Sequence, residues 1–223
     1  MRYNRYAMPV HPKVLEKDFE NTVSIDTLSE IYETLKGKSL SSIDSKVLKE
    51  ITIYLEKAWN KINYKKGINL RDREKLAPVF LELNRMLYGR KRVPYAYRGA
   101  RLSSALDINA ISRTYPNSIN EPEVLEHLES LAYGLRSWSE ERETAEYWAA
   151  GEEYTAKDKI VFKIRNPKVV LDSVPVLEMT MEFDTYILDT DEVVLYIKNP
   201  KILDISQDKN IDNLYYVEVK DMG

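Results

Sequence analysis

Residues 90–103 read RKRVPYAYRGARLS, and the parsing of this stretch decides the fold. Upstream of it, apolar residues recur at helical spacing. Downstream, they fall in short β-type runs bounded by Gly, Asn and Pro. Pro94 stands at the change, where it cannot continue a helix and biases Val93 towards an extended backbone. YAYRGARL then reads as a short strand that ends at Gly99. The chain therefore divides near residue 94. A helical N-terminal subdomain, residues 1–93, precedes a β-rich core, residues 94–223, and the two are expected to pack as one unit. Helices gathered before strands argue for an α+β fold over alternating βαβ units.

Three amphipathic segments carry the helical part. SIDTLSEIYETLKGK places Leu28, Ile31, Tyr32 and Leu35 on one face, with Asp26 as N-cap and Gly37 as the stop. SSIDSKVLKEITIYLEKAWNKINYKKG aligns Val47, Leu48, Ile51, Leu55, Ala58, Trp59 and Ile62, and ends at Gly67. RDREKLAPVFLELNRMLYG aligns Leu76, Val79, Phe80, Leu83 and Leu87, with Pro78 in its first turns. These stripes read as packing faces without chemistry. After residue 94 come a helix in EPEVLEHLESLAYG, a strand in LRSWS and a helix in EERETAEYWAAG. Strands follow in DKIVFKIRNP, KVVLDS, TDEVVLYIKNP, KILDISQD and NLYYVEVKD. VPVLEMTMEFDTY has no clean period and reads as a loop.

Composition narrows the chemistry. The chain of 223 residues has no cysteine, which excludes disulfides, thiol nucleophiles and cysteine metal sites, and its two histidines, His11 and His127, lie far apart in sequence, which argues against a His-based triad or a multi-His zinc site. No metal is expected. Catalysis, if present, must use carboxylates, Arg, Ser, Tyr or Lys. A net charge of -3 argues against a chain-wide nucleic-acid binder. No run approaches the ~20 apolar residues of a membrane span, and no signal-peptide pattern is visible, so a cytoplasmic protein with no membrane partner is expected. No GxGxxG or GxxxxGK[ST] frame exists among the seven glycines.

Three pieces remain. Arg98 stands at the end of the first strand, with Gly99 after it, and suits a bidentate grip on phosphate. Arg at a strand end also serves surface ion pairs. Ser137 and Ser139 share one side of a strand with Trp138 opposite. The same Ser-x-Ser could end a strand and cap a helix. In TDEVVLYI, alternation puts Thr190, Glu192 and Val194 on one face and Asp189, Asp191 and Val193 on the other. A carboxylate there could stabilise a developing positive charge or bond a sugar hydroxyl. It could equally be a solvated strand end.

Taken in order, YRG, SWSEERETAEYWA and TDEVVLYI resemble the Arg-Ser-Glu class of mono-ADP-ribosyltransferases, of toxin or phage type. The resemblance covers about residues 94–220. It implies two packed small sheets forming an NAD cleft, preceded by a helical subdomain. It also implies cleavage of NAD, as substrate, between nicotinamide and ribose, with transfer of ADP-ribose to an acceptor.

By that resemblance Glu192 is the catalytic carboxylate, Arg98 grips NAD, and Gly99 offers backbone to the nicotinamide amide. Ser137 positions the ribose and Glu192, with Ser139 beside it in the NAD site. Tyr147 or Trp148 supplies the aromatic near the nicotinamide. Glu192, Ser137 and Arg98 are expected to face one cleft. Thr190, with Phe183 and Tyr186 in the preceding loop, falls where the family reads its acceptor. Two positions depart from the pattern. Trp138 replaces Thr in the Ser motif. Thr190 replaces the expected Glu or Gln, which puts arginine modification in doubt.

A host protein is the expected acceptor, with nucleic acid as the other candidate. The basic run Arg90, Lys91, Arg92, Arg98 and Arg101, interleaved with Tyr88, Tyr95 and Tyr97, could hold phosphates or form a solvated loop. Two other readings stand beside the transferase. One is a non-catalytic NAD-, nucleotide- or protein-binding relative of that fold. The other is a nucleic-acid-binding phage protein.

Overall fold

The computed structural model describes residues 25–64, 74–101, 122–150, 159–181, 187–188 and 191–223. Three helices come first: α1 (Ile25–Leu35), α2 (Ser45–Tyr64) and α3 (Leu76–Met86). β1 (Tyr95–Arg101), α4 (Pro122–Ala132), β2 (Gly134–Ser139) and α5 (Arg142–Ala150) follow. Next are β3 (Lys159–Arg165), β4 (Val169–Asp172), α6 (Ser173–Met181), β5 (Glu192–Ile197), β6 (Pro200–Gln207) and β7 (Leu214–Asp221). The architecture is α+β. Among the described residues, no helix is long and apolar enough to cross a membrane.

Local chemistry explains the helix ends. Gly37 takes φ +69° just past α1, the left-handed turn that favours glycine. The Asp44 carboxylate accepts the N–H groups of Lys46 and Val47 and caps α2. α3 begins at Leu76, so Pro78 sits in its first turn, where its missing N–H costs nothing. α1 begins at Ile25, so Asp26 lies inside the first turn and not at the cap.

The strands form one mixed sheet in the order β4-β5-β2-β1-β3-β7-β6. β3 and β7 run parallel, and the other neighbours are antiparallel. The two packed small sheets expected from the family are not separate here: β4-β5-β2 and β1-β3-β7-β6 are hydrogen-bonded into one sheet through the β1–β2 pairing. Their join is narrow. β1 and β2 register at Tyr97 and Ser139 only, whereas β1 and β3 register along seven residue pairs.

Each half is covered on the same face by a different layer. α1, α2 and α3 pack with Leu135 of β2, Leu171 of β4 and Val194 of β5 in one buried cluster. α5 packs through Ala145 and Ala149 on Val161 of β3, with Tyr97 at the margin. On the other face, Val124, Leu128 and Ala132 of α4 join Trp138, Phe162, Val193 and Val217. The proposed site residues on β2 and β5 lie on the first face.

Three local readings change. Residues 173–181 are helical and not a loop. The signal is present in Asp-Ser-Val-Pro: Asp172 accepts the Val174 N–H at 3.4 Å, and Pro175 sits in the first turn. Val176 and Met179 are both buried but make no clean amphipathic stripe, so periodicity misses the helix. β1 runs on through Gly99 to Arg101, so Arg98 is mid-strand. Val47, assigned to the α2 stripe, is 40% exposed.

Candidate active site

β5 begins at Glu192, and the residue before it leaves the extended region. Asp191 has φ +63°, a conformation that Asp tolerates better than most residues. Its carbonyl accepts the Glu140 N–H at 2.9 Å. Asp191 is thus a turn residue joining the mouths of β2 and β5. Alternation starts at Glu192 and does not carry back to Thr190.

Glu192 pairs with Ser139, and Val194 pairs with Ser137. Directly paired residues share a face, so Ser137, Ser139 and Glu192 lie together. Trp138 and Val193 point the other way into the second core, where Trp138 is 1% exposed. The Trp in the Ser motif is therefore a core residue and does not intrude on the Ser face. The Glu192 carboxylate is half-buried, and its Oε1 accepts the Trp59 indole N–H at 3.3 Å. The sequence marks Trp59 as part of a packing stripe only. The bond joins residues 133 apart in the chain, and no local pattern announces it.

Arg98 reaches this site from a different direction than expected. It registers with Phe162, and β1 alternation sets it opposite Tyr97 and Gly99. By register it belongs to the face of the second core, not to that of Glu192. Its guanidinium still meets β2: Nη1 donates to the Ser137 carbonyl at 2.8 Å. Past Tyr97 the β1–β2 ladder opens, and this side chain bridges the opening.

Gly99 has a packing reason. A Cβ there would come within 2.2 Å of the Ala145 carbonyl oxygen and 2.5 Å of the Ala149 nitrogen. The face of Gly99 is filled by the backbone of α5. Gly99→Ala must push that helix away, and overpacking against backbone costs about 2–3 kcal/mol. Thermal unfolding should show a lower midpoint, and an unchanged midpoint would contradict this contact. The Ser139 hydroxyl accepts the Glu141 N–H at 3.0 Å, in a Ser turn leading into α5. On α5, Tyr147 and Trp148 are 52% and 51% exposed, with edge-on rings 5.9 Å apart.

The basic run divides on inspection. Arg90 is a structural joint: Nε and Nη2 bond the Asp172 carboxylate at 2.8 and 2.7 Å, and Nη1 bonds Glu140 at 2.9 Å. The Arg90 N–H also reaches Asp172. Asn84 completes the joint by donating to the Arg90 carbonyl and accepting the Asp172 N–H. Arg92 bonds the Asn166 carbonyl. These contacts tie α3 to β4 and to the β2–α5 turn, so Arg90 is not a free phosphate ligand.

Burial pushes the Asp172 carboxyl up, but hydrogen bonds and charge from Arg90 outweigh it and hold the group below the ordinary aspartate value. A depressed carboxyl stabilises the fold above its unfolded pKa, about 3.9, and that contribution is lost as pH falls through the folded value. Unfolding midpoints should therefore drop below about pH 4, and Asp172→Asn should lose less over the same acid step. Equal losses in both proteins would contradict the assignment.

The acceptor residues Thr190, Phe183 and Tyr186 lie outside the described residues. A surface cavity of about 600 Å3, lined by Leu81, Asn84, Arg85, Tyr88, Gly89 and Lys91, contains none of Arg98, Ser137 or Glu192. The β1-β2-β5 set is the better candidate because Ser137, Ser139 and Glu192 share one face and the Arg98 guanidinium is bonded to the Ser137 carbonyl.

No family model and no curated protein matches the chain. Solved structures do match, loosely. ADP-ribosyltransferase Vis, in complex with the M6 inhibitor, is 13% identical with a TM-score of 0.36, over 92% of this chain and 88% of that one. Plx2a, an ADP-ribosyltransferase toxin from Paenibacillus larvae, is 15% identical with a TM-score of 0.34, over 89% and 96%. An ADP-ribosyltransferase from Clostridium botulinum is 15% identical with a TM-score of 0.36, over 87% and 92%. All three carry the name ADP-ribosyltransferase. Likenesses at these scores carry no argument about activity, so the function rests on this chain's own residues.

Proposed function

We propose that the protein is a mono-ADP-ribosyltransferase that cleaves NAD between nicotinamide and ribose and passes ADP-ribose to a protein acceptor. One observation carries the reading. The strands bearing Arg98, Ser137 and Glu192 are consecutive neighbours, β1-β2-β5, though 39 and 55 positions separate these residues in the chain. Ser139 stands opposite Glu192, and the Arg98 guanidinium is bonded to the backbone of Ser137.

The chemistry suits residues of these types. NAD carries a positively charged nicotinamide. When the glycosidic bond breaks, both its electrons leave with the ring, which departs neutral. No general acid is needed, which fits a site that gathers no histidine among the described residues. The ribose carbon becomes oxocarbenium-like, and the Glu192 carboxylate stabilises that charge and bonds the ribose 2'-hydroxyl. The acceptor nucleophile then bonds the same carbon and gives up its proton to solvent water. Ser137 orients the ribose and the carboxylate. Arg98 takes the pyrophosphate, for which a guanidinium fork is suited. Tyr147 or Trp148, exposed on α5, packs on the nicotinamide. Thr190, Phe183 and Tyr186 read the acceptor.

Host-cell lysate incubated with labelled NAD and the protein tests the transfer step. Label should enter discrete protein bands, and mass spectrometry should find ADP-ribose on a side chain. Label confined to nucleic acid would replace the acceptor. Strong salt-sensitive binding of DNA or RNA with no use of NAD would replace the reading altogether.

A further inference from the structure

The structure assigns Trp59 of the helical layer as a positioning residue for the Glu192 carboxylate, so that the site on β5 is completed by α2. This rests on the transferase reading above. Trp59 is 1% exposed and wedged edge-on against Phe80, with ring centroids 5.4 Å apart at 70°. Such packing fixes the indole plane, and with it the direction of the N–H. That N–H meets Oε1 of Glu192 at 3.3 Å, the long end of the range for this kind of bond.

The backbone of Glu192 is held independently. Asp191 just before it accepts the Glu140 N–H, and the Glu140 carboxylate is gripped by Arg90. The bond from Trp59 acts on what these backbone contacts do not hold, the side-chain torsions of Glu192. A rigid, buried donor sets them without adding charge to the site. Trp138 provides the contrast. It is equally buried, yet its indole nitrogen finds no acceptor among the described residues. The bond at Trp59 is therefore not a general consequence of burying an indole in this fold.

Two readouts test the assignment. The first needs no activity. The three tryptophans give three indole N–H resonances in 15N-Trp-labelled protein, assigned by single Trp→Phe variants. Glu192→Gln should move the Trp59 resonance and leave those of Trp138 and Trp148 nearly in place. A Trp59 resonance that does not move overturns the assignment.

The second is kinetic. Trp59→Phe keeps a buried ring and removes the donor. It should lower kcat for NAD cleavage about tenfold, the rate equivalent of one hydrogen bond to a charged group, with KM for NAD changed less than about twofold. In a Glu192→Gln background the same change should cost nothing further. An undiminished kcat, or an equal loss in both backgrounds, overturns the assignment. If the unaltered protein cleaves no NAD, the transferase reading falls and the positioning role falls with it, while the indole shift still reports whether the contact exists.

Discussion

Glu192→Gln is expected to reduce nicotinamide release by about 100- to 1000-fold, the usual effect of deleting one electrostatic contact to a transition state. The substitution is nearly isosteric and removes a charge needed only when the ribose becomes cationic. NAD affinity should therefore stay within a few-fold of the original, and the loss should fall on kcat. The fold should not suffer. Glu192 is half-buried at the start of β5, and its ladder to Ser139 is made by backbone. A Glu192→Gln protein as active as the original would remove Glu192 from the chemistry.

The largest stability effect should come from Asp172→Ala. The Asp172 side chain is 1% exposed and takes two bonds from the Arg90 side chain, one from the Arg90 N–H and a weak one from the Val174 N–H. Removing one partner of a buried pair costs roughly 3–5 kcal/mol. Here Arg90 is 43% exposed and keeps Glu140, so about 3 kcal/mol is the appropriate end. For a chain of this size that is a fall of about 6–12 °C in the unfolding midpoint. A fall under about 2 °C would contradict the joint.

Part of this architecture is legible in the sequence, and for definable reasons. β1, β2 and β5 and the helix after β2 are readable because each carries its own period and punctuation, as in YAYRG and the Gly at residue 134. Counting along each strand groups Ser137 with Ser139 and Glu192 with Val194; that the two faces coincide comes from the family resemblance and is seen in the β2–β5 register. The side of Arg98 does not, because it depends on how far β1 continues past Gly99 and where the β1–β2 ladder opens. Asp191 reads as a strand residue, but its positive φ makes it a turn, and that turn ends the alternation argument for Thr190.

Gly99 invites a ligand-approach reading because glycine permits both that and close packing. Only the position of α5 distinguishes them. The Arg90–Asp172 and Trp59–Glu192 contacts span 82 and 133 residues and leave no local trace. Arg90 sits in a basic run that suggests phosphate binding, yet its partners are two carboxylates from the other half of the chain. α6 escapes periodicity because its apolar residues surround the helix instead of marking one face.

The most direct test is release of nicotinamide from NAD by the purified protein. Free nicotinamide should accumulate in proportion to enzyme, faster when lysate supplies an acceptor, and should nearly vanish with Glu192→Gln. No release above the rate without protein, with and without lysate, would contradict the account.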